Sequence, residues 1–120
     1  MIKYLFIFIC MLNLTFSNEI DSLFSAINRK DFDYVKANIS RNINASDSYS
    51  GTTPLLVASY SGSLKIVEFL LNNGAKVNIA NKQGDTPLLK ASASGSKEIV
   101  ELLLQNGAKV NVTNSDGNTP

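Results

Sequence analysis

Apolar and small residues recur at helical spacing twice between Gly51 and Gly84, in two runs that a glycine separates. In the first run they fall at i, i+3 and i+4, on one stripe of a helix: Leu55, Ala58 and Ser59. The second run predicts a helix over residues 64–72, with an inner face made of Ile66, Val67, Leu70 and Leu71. The small stripe residues of the first helix allow close approach, so this stretch predicts a tightly packed helical pair.

The residues that bound these two runs predict where each helix starts and ends. Thr53 is placed to cap the first helix, and Pro54 occupies its first position, where a missing N–H costs nothing. Gly62 ends that helix, and Gly74 supplies the left-handed residue that ends the second. Residues 75–83 then become extended and turn-like, so each helical pair is expected to end in a hairpin-like turn.

This unit recurs with a fixed period. Residues 51–83 and 84–116 are identical at 22 of 33 positions, and a third copy opens with Gly117-Asn-Thr-Pro120. A period of this length is typical of stacked supersecondary units rather than of one closed core. The predicted fold class is therefore an all-α repeat solenoid, in which stacked helix-turn-helix units are joined by β-hairpin-like turns.

The repeated pattern resembles the ankyrin repeat in order, spacing and period. It reads Gly-x-Thr-Pro-Leu-Leu-x-Ala, then Gly, then Ile-Val-Glu-x-Leu-Leu and Asn-Gly-Ala-x-Val-Asn. The resemblance implies stacked repeats that bind protein partners in a concave groove formed by the turn tips and the first helices. The chain departs from the family pattern at Leu56 and Leu89, where the family usually has a His that hydrogen-bonds neighbouring repeats. We expect apolar packing to replace that polar tie.

Residues 18–47 are predicted to be a degenerate first repeat that caps the stack, because one face of a terminal unit meets water. Asn18 or Ser22 is placed to cap its first helix, and a turn at residues 29–31 leads into a second helix that begins near Phe32. The Gly-x-Thr-Pro signature of the later copies is missing here.

Full repeats are predicted over residues 48–80 and 81–113, and residues 114–120 begin an incomplete one. The helices that should follow Pro120 are not in this sequence, so the outer apolar face of residues 84–113 is expected to lack a cover. Because solenoids normally end in a polar unit, we expect the sequence to be a fragment of a longer array.

Residues 1–17 have the pattern of a cleaved secretory signal peptide. Lys3 provides a positive n-region, residues 4–12 are apolar, and residues 15–17 place small or tolerated side chains where signal peptidase acts. A membrane anchor is the alternative, but it needs roughly 20 apolar residues. We therefore expect export to a periplasm, the extracellular space or a eukaryotic secretory pathway, with a mature chain that starts near Asn18.

The composition argues against several classes of function. Removing residues 1–17 leaves ten basic and ten acidic residues and no His, Cys or Trp. A neutral surface gives no reason to expect nucleic acid or an anionic membrane as the partner. Without His or Cys there is neither a general base poised near neutrality nor a thiolate. We expect a monomer that binds a protein partner, is not an enzyme, holds no cofactor or metal, and does not remain in a membrane.

The two copies differ mainly at the turn tips and on the exposed side of the first helix, which are the surfaces that line the groove in the ankyrin family. We predict that partner contacts lie there, with two tyrosines as anchors and polar neighbours that set specificity: Tyr49, Tyr60, Thr52, Lys82, Gln83, Asp85 and Lys90. Tyr offers a large contact area with few rotors to freeze. The alternative for Tyr60 is that it merely leans on the neighbouring unit, where Ala93 leaves room.

A second hypothesis about function stays open. In it, this chain is the targeting portion of a longer secreted enzyme or effector whose active domain lies beyond Pro120. Further repeats beyond that residue would favour the interaction module, whereas a domain that carries His or Cys would favour the enzyme.

Overall fold

The computed structural model describes residues 2–120, except for the side chains of residues 2, 3, 6, 9, 10 and 12–16. Within this range the chain forms six α-helices and no strand. They are α1 (Ile2–Asn28), α2 (Phe32–Asn38), α3 (Pro54–Ser61), α4 (Leu64–Asn72), α5 (Pro87–Ser94) and α6 (Lys97–Gln105). Consecutive helices form three pairs, one for each predicted unit.

The second and third pairs form where the sequence predicts because their ends carry strong start and stop signals. α3 begins at Pro54, and the Thr53 hydroxyl accepts a hydrogen bond from the Leu56 N–H at 3.4 Å. Thr86 caps α5 in the same way. Gly62 ends α3 with a φ of 72°, in the left-handed region that glycine adopts without steric cost. The predicted bounds of α4 are confirmed as well.

The three pairs stack side by side in two rows. In the first-helix row, α3 packs between α1 and α5, and in the second-helix row, α4 packs between α2 and α6. The core lies between the rows, and its largest fully buried side chains include Leu23, Ile27, Leu55, Ile66, Leu70, Leu88, Ile99 and Leu103. This arrangement confirms the predicted all-α repeat solenoid.

Leu56 and Leu89, which stand where an ankyrin repeat usually has His, are only 2% and 8% exposed. Both leucines are therefore buried, although neither belongs to the main cluster of buried apolar side chains. Burying a leucine side chain contributes about 1.5–3 kcal/mol of stability, which offsets the loss of a polar tie.

Asparagine side chains tie neighbouring units together, and these ties were not predicted from the sequence. The Asn44 carboxamide accepts a hydrogen bond from the Lys76 N–H at 2.8 Å and donates one to the Gly74 carbonyl at 3.0 Å. Asn78 makes the same two bonds one unit later, with the loop at Gly107. Each carboxamide therefore satisfies one donor and one acceptor of the loop that follows it.

The first unit differs from its prediction at its start. α1 runs without interruption through Asn18 and Ser22, so the prediction that one of them begins this helix is wrong. The reason is that residues 2–28 contain no Gly or Pro that could break the helix. A cap residue does not start a helix when helix-forming residues precede it.

The predicted turn at residues 29–31 is confirmed. Lys30 has a φ of 59°, the left-handed conformation that glycine adopts at the equivalent position of the other units. The Asp31 carboxylate then caps α2 by accepting a hydrogen bond from the Tyr34 N–H at 3.1 Å. The unit thus reproduces the turn geometry of its neighbours without their glycine.

The N-terminal part of α1 carries large hydrophobic side chains that are exposed: Tyr4, Leu5, Ile7, Phe8 and Met11. Among the described side chains, the first buried one is Ile20. In the part of the chain that the structure describes, no helix combines the length and hydrophobicity needed to cross a membrane. Cleavage after residue 17 stays a prediction.

The outer face of the last unit is uncovered in the described chain, as expected. Leu104 and Val110 are 42% and 53% exposed, whereas Leu71 and Val77, at the equivalent positions of the preceding unit, are half-buried. The difference arises because the preceding unit is covered by α5 and α6.

Candidate partner-binding groove

A shallow depression lies where the first-helix row meets the turn tips. Its volume is 220 Å³, and it is lined by Asn28, Thr52, Leu56, Val57, Tyr60, Asn81 and Lys90. These residues come from three successive units, so the depression exists only because the units stack. We call it the groove depression.

Larger recesses lie elsewhere on the described surface, including two of 380 Å³ beside α1. A recess of 520 Å³ separates α1 from the first turn, and one of 550 Å³ lies beside α5 and residues 114–120. The groove depression is smaller than any of these, but three of the seven predicted partner-binding residues line it. It is therefore the recess that the sequence analysis and the structure both indicate.

Three turns of the same design stand beside the first-helix row. The Asp47 carboxylate accepts hydrogen bonds from three backbone N–H groups of the first turn, including that of Tyr49 at 3.0 Å. Asn81 and Asn114 begin the second and third turns and accept backbone hydrogen bonds in the same manner. Such side-chain bonds shape each tip without help from a partner.

The ionisation of Asp47 responds to these bonds. Partial burial would raise the pKa of its carboxyl, but the hydrogen bonds from the hydroxyl and N–H of Ser50, and from the N–H groups of Thr52 and Tyr49, outweigh burial and lower the pKa. The first turn is thus held by an ionised carboxylate.

Tyr60 forms one wall of the groove depression, and 62% of its surface is exposed. Its ring centroid lies 5.7 Å from Lys90 Nζ, which is within range of a cation–π interaction. Lys90 belongs to α5 of the next unit, so Tyr60 does contact its neighbour. Most of its ring nevertheless faces solvent, which favours the prediction that it can meet a partner.

Asp85 directly precedes Thr86, the cap of α5, and is only 8% exposed. Its carboxylate pairs with Lys90 Nζ at 2.8 Å and accepts hydrogen bonds from the side chains of Asn114 at 2.8 Å and Asn81 at 3.4 Å. Burial would raise the pKa of Asp85, but these bonds and the charge of Lys90 outweigh burial and lower it. Asp85 therefore positions Lys90, and a direct contact of Asp85 with a partner stays a prediction.

The other predicted residues lie on the turn tips, outside the groove depression. Tyr49 is 92% exposed. Lys82 joins the first two tips, because its N–H donates to the Ser50 carbonyl at 2.9 Å and its Nζ donates to the Ser48 carbonyl at 2.8 Å. The Gln83 carbonyl accepts a backbone hydrogen bond from the third tip at 2.8 Å. The structure thus brings Thr52, Tyr60 and Lys90 together and places Tyr49, Lys82 and Gln83 along one rim.

Asn28 and Asn81 were not predicted as groove residues. A signal for Asn28 was present in the register of the units, since it lies two residues before the left-handed Lys30, as Tyr60 lies two residues before the left-handed Gly62. The missing Gly-x-Thr-Pro signature of the first unit concealed this equivalence. Asn81 was expected only as a turn residue. Its side chain also donates a hydrogen bond to Asp85, and this bond depends on the folded turn.

The groove offers non-covalent recognition through an apolar floor, an aromatic wall and an ammonium group. Within the described side chains, no group of three or more His, Cys, Asp or Glu is placed to hold a metal ion.

Comparison with known families agrees with this architecture. The model of the family described as ankyrin repeats (3 copies) matches residues 1–81 and, in a second match, residues 23–114. The chain belongs to the ankyrin-repeat family, whose members generally mediate protein–protein interactions and are typically not catalysts. A search of curated proteins finds no match. The first family match begins at residue 1 and so includes the segment predicted to be a signal peptide.

Proposed function

We propose that this chain is an exported ankyrin-repeat module that binds a protein partner through its turn tips and first-helix row, and that it catalyses no reaction. The observation that carries the proposal is the groove depression, in which three residues predicted from separate turns and helices converge: Thr52, Tyr60 and Lys90.

The rigidity of this surface supports binding. The turns are held by their own side chains, and neighbouring tips are joined by backbone bonds at Lys82 and Gln83. A surface that is already ordered loses little conformational entropy when a partner binds. The exposed rings of Tyr49 and Tyr60 add the type of side chain that most often dominates interface energetics.

Export is supported by the basic, apolar and small-residue order of residues 1–17. The position of Ile20, the first buried side chain among those described, also supports it. Removal of residues 1–17 would take away none of the buried side chains that the structure describes.

A capture experiment tests the proposed binding surface. The full chain and its Tyr60→Ala variant are immobilised, and proteins retained from the exported fraction of the source cells are quantified. The variant is a mild change, because Ala93 stands at the equivalent position of the third unit. We expect an unchanged melting temperature and a roughly tenfold loss of a specific retained protein.

The matched control lies on the opposite surface of the same unit. Leu64 is 37% exposed at the start of α4, and Lys97 stands at its equivalent position, so Leu64→Lys is an equally tolerated change. It should leave capture unaltered. Capture that survives Tyr60→Ala, or that Leu64→Lys abolishes to the same extent, contradicts the proposed surface.

A further inference from the structure

We infer that the groove depression receives one apolar side chain of an acidic peptide segment. The inference rests on the proposed function and specifies what the partner presents to this surface.

The size and floor of the depression argue for a single apolar group. The floor is the buried Leu56 and the half-buried Val57, and the wall is the ring of Tyr60. An apolar protein cavity of about 150 Å³ holds a benzene molecule, so the 220 Å³ of this open depression suffices for one phenyl or isobutyl group. It is too small to accept the face of a helix.

The polar residues around the floor of the depression argue for an extended peptide segment. Polar side chains of Asn28, Thr52 and Asn81 surround the apolar floor. The Asn81 carboxamide and the Thr52 hydroxyl already bond within the turns, so the exposed Asn28 carboxamide is the group offered to the backbone of an extended peptide beside the inserted side chain.

The charges around the depression argue for an acidic flank. Lys90 lines it, and Lys82 lies on the adjoining tip with its side chain exposed. The two nearby carboxylates, Asp47 and Asp85, do not line the depression, and the Asp85 side chain is less exposed than that of its ion-pair partner Lys90, at 11% against 32%. The ammonium groups of Lys82 and Lys90 have further N–H donors for a partner. Carboxylates beside the partner's apolar side chain complement these positive charges.

An equivalent recess recurs one unit later, where Asp85, Leu89, Lys90, Ala93 and Asn114 stand at the positions of Thr52, Leu56, Val57, Tyr60 and Asn81, but its chemistry differs. The third unit has Lys90 where the second has the floor residue Val57, and Ala93 where the second has Tyr60. A partner is therefore held in a single register along the solenoid.

The test is a titration of the ¹⁵N-labelled full chain with blocked tripeptides, followed by the chemical shifts of its backbone amides. The probe is acetyl-Glu-Phe-Glu-amide, and the comparison peptides are acetyl-Lys-Phe-Lys-amide and acetyl-Glu-Ala-Glu-amide. We expect millimolar binding of the probe with shifts concentrated at Leu56, Val57, Tyr60 and Lys90, as suits a ligand of this size. The Lys peptide and the Ala peptide should each bind at least about threefold more weakly.

Variants that copy the third unit sharpen the test. Val57→Lys places an ammonium on the floor, and Tyr60→Ala removes the wall, so each should weaken the probe roughly tenfold. Lys82→Ser, which copies Ser115, should weaken binding of the probe about threefold. In this variant the Ala peptide should still bind at least about threefold more weakly than the probe. Leu64→Lys, on the opposite surface, should have no effect.

The inference is overturned if the probe moves no amide of the depression, if the Lys peptide binds as well as the probe, or if Leu64→Lys matters as much as Val57→Lys. A partner whose capture depends on Tyr60 while the probe leaves these amides unmoved would refute the apolar socket and leave the proposed function standing. Loss of both results would refute the two together.

Discussion

Two glycines with the same backbone conformation differ in what surrounds them. Gly84 and Gly107 have φ values of +80° and +86°, a region that side-chain-bearing residues rarely adopt. A Cβ on Gly84 would lie 3.1 Å from Asn114 Cα, whereas a Cβ on Gly107 would meet no atom within 4 Å. The first glycine is therefore required by conformation and by a close backbone approach, the second by conformation alone.

Alanine substitutions separate these two requirements. Gly107→Ala should lower the free energy of unfolding by about 1 kcal/mol through the left-handed backbone alone. Gly84→Ala should cost about 1–2 kcal/mol more, because the turn that begins at Asn114 must shift to admit the methyl group. Urea denaturation of the two variants measures the difference, and equal losses would show that the contact at Asn114 relaxes freely.

At the scale of the elements, hydrogen bonds of asparagine side chains hold neighbouring units together. Asn78→Ala removes both bonds to the loop at Gly107 and should destabilise the chain by roughly 1–2 kcal/mol. Asn111 occupies the same position in the last unit and is exposed, so Asn111→Ala should stay within about 0.5 kcal/mol of the parent chain. Equilibrium unfolding checks both values. A comparable loss at the two positions would mean that Asn78 acts within its own loop and not between units.

The first helix makes a separate prediction about processing. We expect N-terminal sequencing of the exported protein to begin within a residue or two of Asn18, because residues 1–17 have the order of a signal peptide. A recombinant chain that starts at Asn18 should melt within about 2 °C of the full chain, since Ile20 is the first buried side chain among those described. An intact Met1 on soluble cytosolic protein, or a large fall in melting temperature, would contradict this prediction.

At the scale of the whole molecule, stability should depend on two turn carboxylates. The pKa values of Asp47 and Asp85 are lowered from 3.8 in the folded chain, so each favours the folded state while it is ionised. Their contribution is fully present above the unfolded pKa and is lost as the pH falls through their folded pKa values. The melting temperature should therefore fall as the pH drops below about 4.

Substitutions at the two carboxylates test the source of this dependence. Asp85→Asn is a mild change, because Asn118 stands at the equivalent position of the third turn. Asp47→Asn introduces the side chain with which Asn81 and Asn114 begin their turns, although Asp47 lies one residue earlier in the repeat register. Each should flatten the fall in melting temperature below about pH 4, and the double variant should flatten it further. If both variants keep the slope of the parent chain, the acid sensitivity resides in other carboxylates.

The molecule as a whole has two different ends. Its N-terminal side presents polar residues of α1 and α2, such as Glu19, Ser22 and Arg29, while its other end exposes Leu104 and Val110. The two ends of the described chain therefore expose different side chains, although the start of α1 also exposes apolar residues. The capping role of the degenerate first unit stays a prediction.

The sequence by itself determined the unit, its period and the bounds of the helices from α3 to α6. It could do so because the caps, stops and stripes of these helices are local signals, repeated at positions such as Thr53 and Gly62. It also predicted three of the residues that line the groove depression: Thr52, Tyr60 and Lys90. Residue spacing within one helix is sufficient for such predictions.

Only the tertiary structure decided which side chains meet across units. Asn44 and Asn78 bridge to loops about 30 residues away, Asp85 turns inward to hold Lys90, and Asn28 enters the depression from the first unit. These features depend on how stacked units are oriented in space, and the local pattern that specifies each unit does not encode the partner that stacking brings to it.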